Sequence, residues 1–313
     1  MHSVTRGQVL SILTSPVLVA VMAVFLSTCM DAFVKFLSGR VDLLTIVFWR
    51  FTIAAVVIGV PFFLSGRRLT GWAPARFHAV RGLIHVTATY LFFFALGKLD
   101  LVEVTTIGFM ASLIIPVIAW IYLGERINGL TFLAILIGFA GVLTALNAWQ
   151  IISNEMSRDR LIGFGSVLLS ACLYAASIVL LRKRAAADGA LMVAFYANLF
   201  PALFIAPFSL ALATPAQPSD IGYLIIAAVL GSSIWLLMTS AYARAPAQRL
   251  APVEFTALLW SALIGLFVFR EVPGASLWIG AVCIIMACAI VSWQDARSAA
   301  SMRARASVQS DPR

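Results

Sequence analysis

Asp31 and Lys35 stand four residues apart, one turn of a helix, so a helix over this stretch puts both on one face. They lie inside an apolar run, as Arg50 does in the next. A charge in such surroundings is costly, and it either meets a partner or faces a cavity. Two roles therefore fit Asp31. One is half of a structural ion pair with Lys35, Arg50 or both, with Lys35 reaching along its stem toward the membrane surface. The other is a carboxylate that binds a proton or gates a passage. Arg50 offers a fork of donors matched to a carboxylate, which suits it to anchor an anionic group on a cargo. His85 is the one histidine read as lying inside a span; such a side chain bonds a neighbour or relays protons. Tyr90, further along that run, lines a cavity or packs. Glu254 opens a later run soon after Pro252, and Glu103 opens another. Carboxylates in a helix's first turn are favoured by the macrodipole, which is the structural alternative to a cargo role. Tyr174, Tyr196, Asn198 and Trp260 supply stacking faces or hydrogen bonds, either to cargo or between helices.

No pattern of enzymatic catalysis accompanies these residues. H-E-x-x-H, Walker A, G-x-S-x-G and G-x-G-x-x-G runs are all missing from the sequence, so no catalytic residue, cofactor or metal ligand is assigned. The four cysteines, Cys29, Cys172, Cys283 and Cys288, fall in apolar runs without C-x-x-C spacing and read as reduced structural thiols. Thr28 is too bulky for a lipoprotein cleavage box before Cys29, and the first run reads as a retained helix.

The elements that must hold these side chains are long and apolar. Of 313 residues 62% are apolar and 11% charged, against about 25% charged in ordinary soluble domains. A bilayer interior about 30 Å thick needs about 20 apolar helical residues. Ten runs meet that need, over 16–38, 43–64, 77–98, 102–123, 129–148, 161–181, 190–211, 220–242, 251–270 and 275–293. Backbone amides in lipid are satisfied only within helices or closed barrels, and no alternating barrel strands occur. The reading is an all-α polytopic membrane protein.

The net charge of +9 does not point to nucleic acid. Arg67, Arg68, Arg76 and Arg81 crowd one expected interhelical loop, and Arg182, Lys183 and Arg184 another, while Arg297, Arg303, Arg305 and Arg313 lie in the tail. The opposite face holds only Arg40, Lys98, Arg158, Arg160 and Arg270 of the 22 Lys and Arg. The positive-inside bias then places both termini in the cytoplasm.

The chain also repeats itself. Phe109-Met110-Ala111, Leu113 and Ile118, ending Leu123-Gly124-Glu125, match Phe255-Thr256-Ala257, Leu259 and Ile264, ending Phe269-Arg270-Glu271. Ser27, Cys29 and Ala32 likewise match Ser170, Cys172 and Ala175, and Phe48-Trp49 matches Phe195-Tyr196. Glu125 and Glu271, the related loop carboxylates, read as structural. The expected division is a tail over 1–15, a first repeat over 16–148, a linker over 149–160, a second repeat over 161–293 and a tail over 294–313. Five helices are an odd number, so the two repeats enter the membrane in opposite senses. Inverted repeats are typical of secondary transporters, with the cargo site between the halves near the midplane.

The run Leu99 to Leu146 resembles the EamA domain of the drug/metabolite transporter superfamily. The resemblance is carried by Glu103-Val104-Thr105, Pro116-Val117, Leu123-Gly124-Glu125-Arg126 and Ile137-Gly138-Phe139-Ala140-Gly141-Val142. Phe269-Arg270-Glu271 and Trp278-Ile279-Gly280 carry a second copy, in which Arg270 replaces the usual glycine. Met30-Asp31-Ala32-Phe33-Val34-Lys35 and Phe48-Trp49-Arg50-Phe51 look like a branch that includes S-adenosylmethionine carriers. The resemblance implies a ten-helix inner-membrane carrier, usually an exporter. The expected partners are a small-molecule substrate, the lipid bilayer and protons as coupling ion, with oligomeric state left open. The expected activity is export of a small amino-acid-like or other polar metabolite by alternating access. Uptake or exchange of S-adenosylmethionine-like metabolites is the alternative, and a non-transporting membrane enzyme or sensor, or a channel, the more distant ones.

Overall fold

The computed structural model describes residues 16–66, 71–124, 129–145, 147, 156–244, 253–290 and 293. Both tails, Arg67, Arg68, Glu125 and most of the 149–160 linker lie outside them. The described residues fold as helices alone: α1 (Pro16–Ser38), α2 (Leu43–Leu64), α3 (Trp72–Leu96), α4 (Leu101–Gly108), α5 (Met110–Leu123), α6 (Gly129–Ala145), α7 (Arg158–Asp188), α8 (Ala190–Leu212), α9 (Pro218–Arg244) and α10 (Thr256–Ile264), followed by α11 (Ala275–Ile290). Six helical spans are long and apolar enough to cross a membrane, α4 and α5 counting as one continuous span, Leu101–Tyr122. Four apolar helices are shorter, over Phe132–Ala145, Pro218–Ile234, Thr256–Phe269 and Ala275–Ile290. Large apolar side chains such as Val60, Phe63, Leu210, Phe267 and Ile279 are exposed on the outside, the surface a lipid environment tolerates and water does not.

Local chemistry sets the boundaries. Asp42 caps α2, its carboxylate accepting from the Leu44 N–H at 2.9 Å. Asp100 and Glu103 form a capping box at the start of α4. Gly124 ends α5 in the left-handed region at φ 71°, where a residue without Cβ is at ease. A π-helical turn, Gly265–Phe269, extends α10, and Arg270 closes it at φ 59°. Arg270 thus repeats the backbone of Gly124 with a side chain attached.

The fourth run, expected unbroken over 102–123, is interrupted at Phe109, and the ninth is interrupted at Phe255. The two phenylalanines are the repeat partners found in the sequence. Their backbones agree closely, at φ −61°, ψ −17° and φ −67°, ψ −16°. Each carbonyl accepts from the N–H three residues on, Ser112 at 3.0 Å and Leu258 at 3.2 Å, a tightened 3₁₀-type turn. The two rings meet edge to face at 5.7 Å. Hydropathy could not reveal these breaks, because neither interrupts the apolar run.

Two charge placements also differ from expectation. Arg81, grouped with the loop charges although the expected span 77–98 encloses it, belongs to α3 and is buried. Residues Arg182 to Arg184 continue α7, which runs to Asp188 instead of ending at 181.

Apolar contact between helices brings no hydrophobic gain in lipid, so close backbone approach and hydrogen bonds must hold the bundle. At the α6–α11 seam a Cβ on Gly141 would lie 2.9 Å from the Gly280 carbonyl oxygen. Packing also crosses the midpoint of the chain: α1 lies against α9 and α10, α3 against α7, α2 against α8, and α4 against α10. The central core gathers Val34, Ile46, Val104, Leu113, Val167 and Ile284.

Candidate functional site

A cavity of about 590 Å³ opens where the two interrupted helices meet α1 and α7. α1 contributes Ala23, Val24, Ser27, Thr28 and Asp31; α4 and its break contribute Thr105 and Phe109. Tyr174 comes from α7, Ile234 and Met238 from α9, and Glu254 and Ala257 from either side of the Phe255 break. On α1 the wall residues recur three or four positions apart, Ala23 with Ser27, Val24 with Thr28 and Thr28 with Asp31, one helical face. Three sequence candidates, Asp31, Tyr174 and Glu254, thus share one wall. Thr28, Thr105 and Phe109 share it too, although residue type alone gave no reason to select them. The matched Phe109 and Phe255 segments were the available signal, since interrupted helices at equivalent places in two repeats mark transporter sites.

Asp31 does not pair with Lys35, although the helix places them on one face. Lys35 Nζ meets Glu271 Oε1 at 2.6 Å instead, and it also donates to the Leu99 carbonyl. The second Glu271 oxygen accepts from the Leu101 N–H at 2.8 Å, at the start of α4, where a negative charge is favoured. One carboxylate therefore ties α1, α4 and the segment after α10. The structural reading of Glu271 from sequence matches this geometry, but its partner was out of reach of any local spacing rule. Nearby, Glu103 pairs with Arg160 at 2.6 Å and Lys98 with Asp159 at 3.1 Å.

Arg50 stands behind the wall rather than in it. Its guanidinium lies over the Phe51 ring at 4.7 Å and the Phe93 ring at 5.6 Å, and Gly231 of α9 sits beside it. Nε and Nη1 are buried without a hydrogen-bond partner. The ring of His85 lies 5.7 Å from Phe51 and 6.4 Å from Tyr174, and its Nδ1 is buried and unpartnered. Arg50, His85 and Tyr174 form a layer running from the core to the cavity wall.

The other candidates sit elsewhere. Tyr90 packs against the central core. Trp260 meets Phe25 edge to face at 5.1 Å, with its Nε1 buried and unpartnered. Tyr196 is buried and stacks on His78 at 5.1 Å. Asn198 donates to the Ala194 carbonyl of its own helix. His78, a second histidine within α3, is buried and bonded to Asp188 at 2.9 Å, so His85 is not alone in its span. A separate groove of about 640 Å³ between α2 and α8 is walled by apolar side chains such as Phe48, Val60 and Phe195, with Thr52 among them; it has no charged residue to orient a polar cargo.

Comparison with known proteins agrees with the repeat and the helices. The model of the EamA-like transporter family matches residues 14–147 and again 161–293. The chain is 26% identical over 285 residues to the pseudopaline exporter CntI of Pseudomonas aeruginosa (strain UCBPP-PA14), covering 91% of this chain and 98% of that one. It is 23% identical over 273 residues to the S-adenosylmethionine uptake transporter of Rickettsia bellii, covering 87% and 91%. A riboflavin transporter of Vibrio cholerae is 26% identical over 184 residues, covering 57% and 58%. A crystal structure of 18% identity superposes with a TM-score of 0.61 over 89% of this chain and 97% of that chain, a likeness of fold.

Proposed function

This chain belongs to the EamA-like transporter family, a multi-pass membrane transporter of a small molecule, and on that premise we propose that it is an inner-membrane secondary carrier exporting a small amino-acid-like or other polar metabolite. The carrier has ten transmembrane helices in two inverted five-helix repeats, 16–148 and 161–293, with both termini in the cytoplasm. The six long and four shorter apolar helices support this count. The loop charges support the orientation.

One observation carries the reading: the cavity forms at the paired breaks, Phe109 and Phe255, and has Asp31, Tyr174 and Glu254 in its wall. In alternating access such a site faces one side and then the other as the halves rock. Asp31 is the coupling carboxylate, taking up either a proton or the cargo, and Arg50 biases it from the layer behind. His85 links that layer to Tyr174. Lys35, with Glu271, belongs to a gate rather than to cargo contact.

The test compares cells expressing wild type with cells expressing Asp31→Asn at equal membrane abundance, by metabolite profiling of cells and spent medium. Export predicts a metabolite depleted inside and enriched outside with wild type alone. Equal profiles would remove Asp31 from the mechanism. Uptake or exchange is the second reading, favoured by the likeness to S-adenosylmethionine uptake transporters; it predicts enrichment inside and depletion of the medium.

A further inference from the structure

We infer that Arg81 holds a carboxylate at the seam between α3 and α7, through the Nε–Nη2 edge of its guanidinium, with Ser177 and His85 beside it. The inference deepens the transport reading above and rests on it, the carboxylate being the cargo's own or that of a separate small anion. Arg81 is 4% exposed, and both Nε and Nη2 are buried without a hydrogen-bond partner. These two nitrogens share one edge of the guanidinium, where their N–H bonds run parallel and match the two oxygens of a carboxylate. Arg50 is different. Its unpartnered nitrogens, Nε and Nη1, do not share an edge, and two rings cover its face. The four ion pairs among the described residues all leave Arg81 out. Asp188, the carboxylate at the end of α7, is bonded to His78 instead. A charge kept inside a membrane span without a partner is costly, and such residues mark ligand paths.

The register of the seam brings further polar groups to this edge. Ser170 Oγ of α7 donates to the Ala88 carbonyl of α3 at 2.7 Å. Further on along α7, Tyr174 meets His85, which lies earlier on α3, so the two helices run antiparallel. Ser177 comes seven residues after Ser170, and Arg81 seven before Ala88, about two turns in each helix. Ser177 therefore stands at the level of Arg81. It is 1% exposed and its Oγ has no partner. The buried hydroxyls of Thr28, Thr106 and Ser232 instead turn back to a carbonyl of their own helix, the usual resort of such a group. His85, one turn from Arg81, likewise leaves Nδ1 unpartnered. Its ring lies 6.4 Å from Tyr174, a residue of the cavity wall, so seam and cavity are one helical turn apart. The guanidinium edge offers two donors and the hydroxyl a third, with the imidazole a fourth when Nδ1 carries the proton. A halide presents one centre to such a fork, whereas a carboxylate presents two.

Formate, the smallest carboxylate, probes the site without knowledge of the cargo. Purified full-length protein in detergent is unfolded by heat in sodium formate and in sodium chloride at matched ionic strength. Wild type is expected to unfold at a higher temperature in formate, by an amount that saturates with concentration, as for a ligand of the native state. Arg81→Lys keeps the charge and loses the fork, so the advantage of formate over chloride is expected to vanish. Ser177→Ala should keep that advantage with its half-saturating concentration raised several-fold. An equal effect of the two salts on wild type, or a formate advantage untouched by Arg81→Lys, would overturn the inference. If Arg81→Lys does not fold, Ser177→Ala decides, and an unchanged half-saturation then overturns it. The source of the carboxylate is read in inside-out vesicles with the metabolite found by profiling. Formate slowing the uptake of a carboxylate-bearing metabolite makes the group the cargo's own. Uptake that formate leaves unslowed assigns it to a separate anion, with the site standing in either case. If no metabolite moves, the transport reading fails, and the effect of formate on unfolding still reports on Arg81.

Discussion

Arg50 and Arg270 show what single side chains cost here and what they return. Arg50 buries Nε and Nη1 without an acceptor, and an uncompensated buried charge destabilises a fold. Its ring contacts recover some of that, about 0.5–2 kcal/mol each. Arg50→Met is therefore expected to unfold in detergent at a temperature equal to or above that of wild type. Transport should nevertheless fall at least tenfold, because the cation that shares the Phe51 ring with His85 behind the cavity wall is gone. A loss of both stability and transport would make Arg50 a structural residue. Arg270 has no such functional excuse. It holds φ 59° where its repeat partner Gly124 holds 71°, and a side chain in the left-handed region costs about 1–2 kcal/mol. Arg270→Gly is expected to raise the midpoint of thermal unfolding, and Arg270→Val to lower it. The reverse order would mean that the arginine side chain more than repays its backbone strain.

At the scale of elements, the tie through Glu271 is the contact to break first. It joins α1 to the first turn of α4 and to the segment after α10, one helical turn from Asp31 along α1. Side-chain exposures of 15% for Lys35 and 9% for Glu271 place the pair largely out of water, where losing one partner costs more than a surface pair would. Lys35→Gln is expected to loosen this end of the cavity. A Ser27→Cys reporter in otherwise cysteine-free protein should then react several-fold faster with an impermeant thiol reagent added outside intact cells. The exchange Lys35→Glu with Glu271→Lys should slow it again. Unchanged labelling in Lys35→Gln would assign the tie to assembly alone. This contact also marks how far the sequence could be read. The apolar runs were legible because composition encodes them, and the repeat because Phe109 and Phe255 keep their surroundings. The partner of Lys35 was not, since a spacing rule sees Asp31 one turn away and cannot see a carboxylate near the far end of the chain. Tyr196 and Asn198 misled for a related reason: a polar group in an apolar run satisfies itself on a neighbouring ring or its own helix as readily as on a cargo.

The whole molecule is held together across its midpoint. α1 packs on α9 and α10, α7 on α3, and α2 on α8, so each half supplies the partners of the other. In a small cluster beside the cavity, Ala20 and Val24 of α1 meet Ala241 of α9 and Val253 at the start of the second broken segment. If the halves rock about the cavity, this contact must part once in each cycle, because Asp31 and Glu254 stand on its two sides. A carrier joined there is a carrier stopped. Cysteines placed by Ala20→Cys and Val253→Cys in a cysteine-free background, joined by a short reducible bifunctional thiol reagent, should abolish transport, and reduction should restore it. Either single cysteine treated alike should transport normally. Full flux through the joined protein would mean that solute passes without separation of the halves, as through a channel, and that flux should then fail to saturate with concentration. Arrest upon joining, with recovery on reduction, ties the paired breaks, the cavity wall and the cross-packed halves to one cycle of opening and closing.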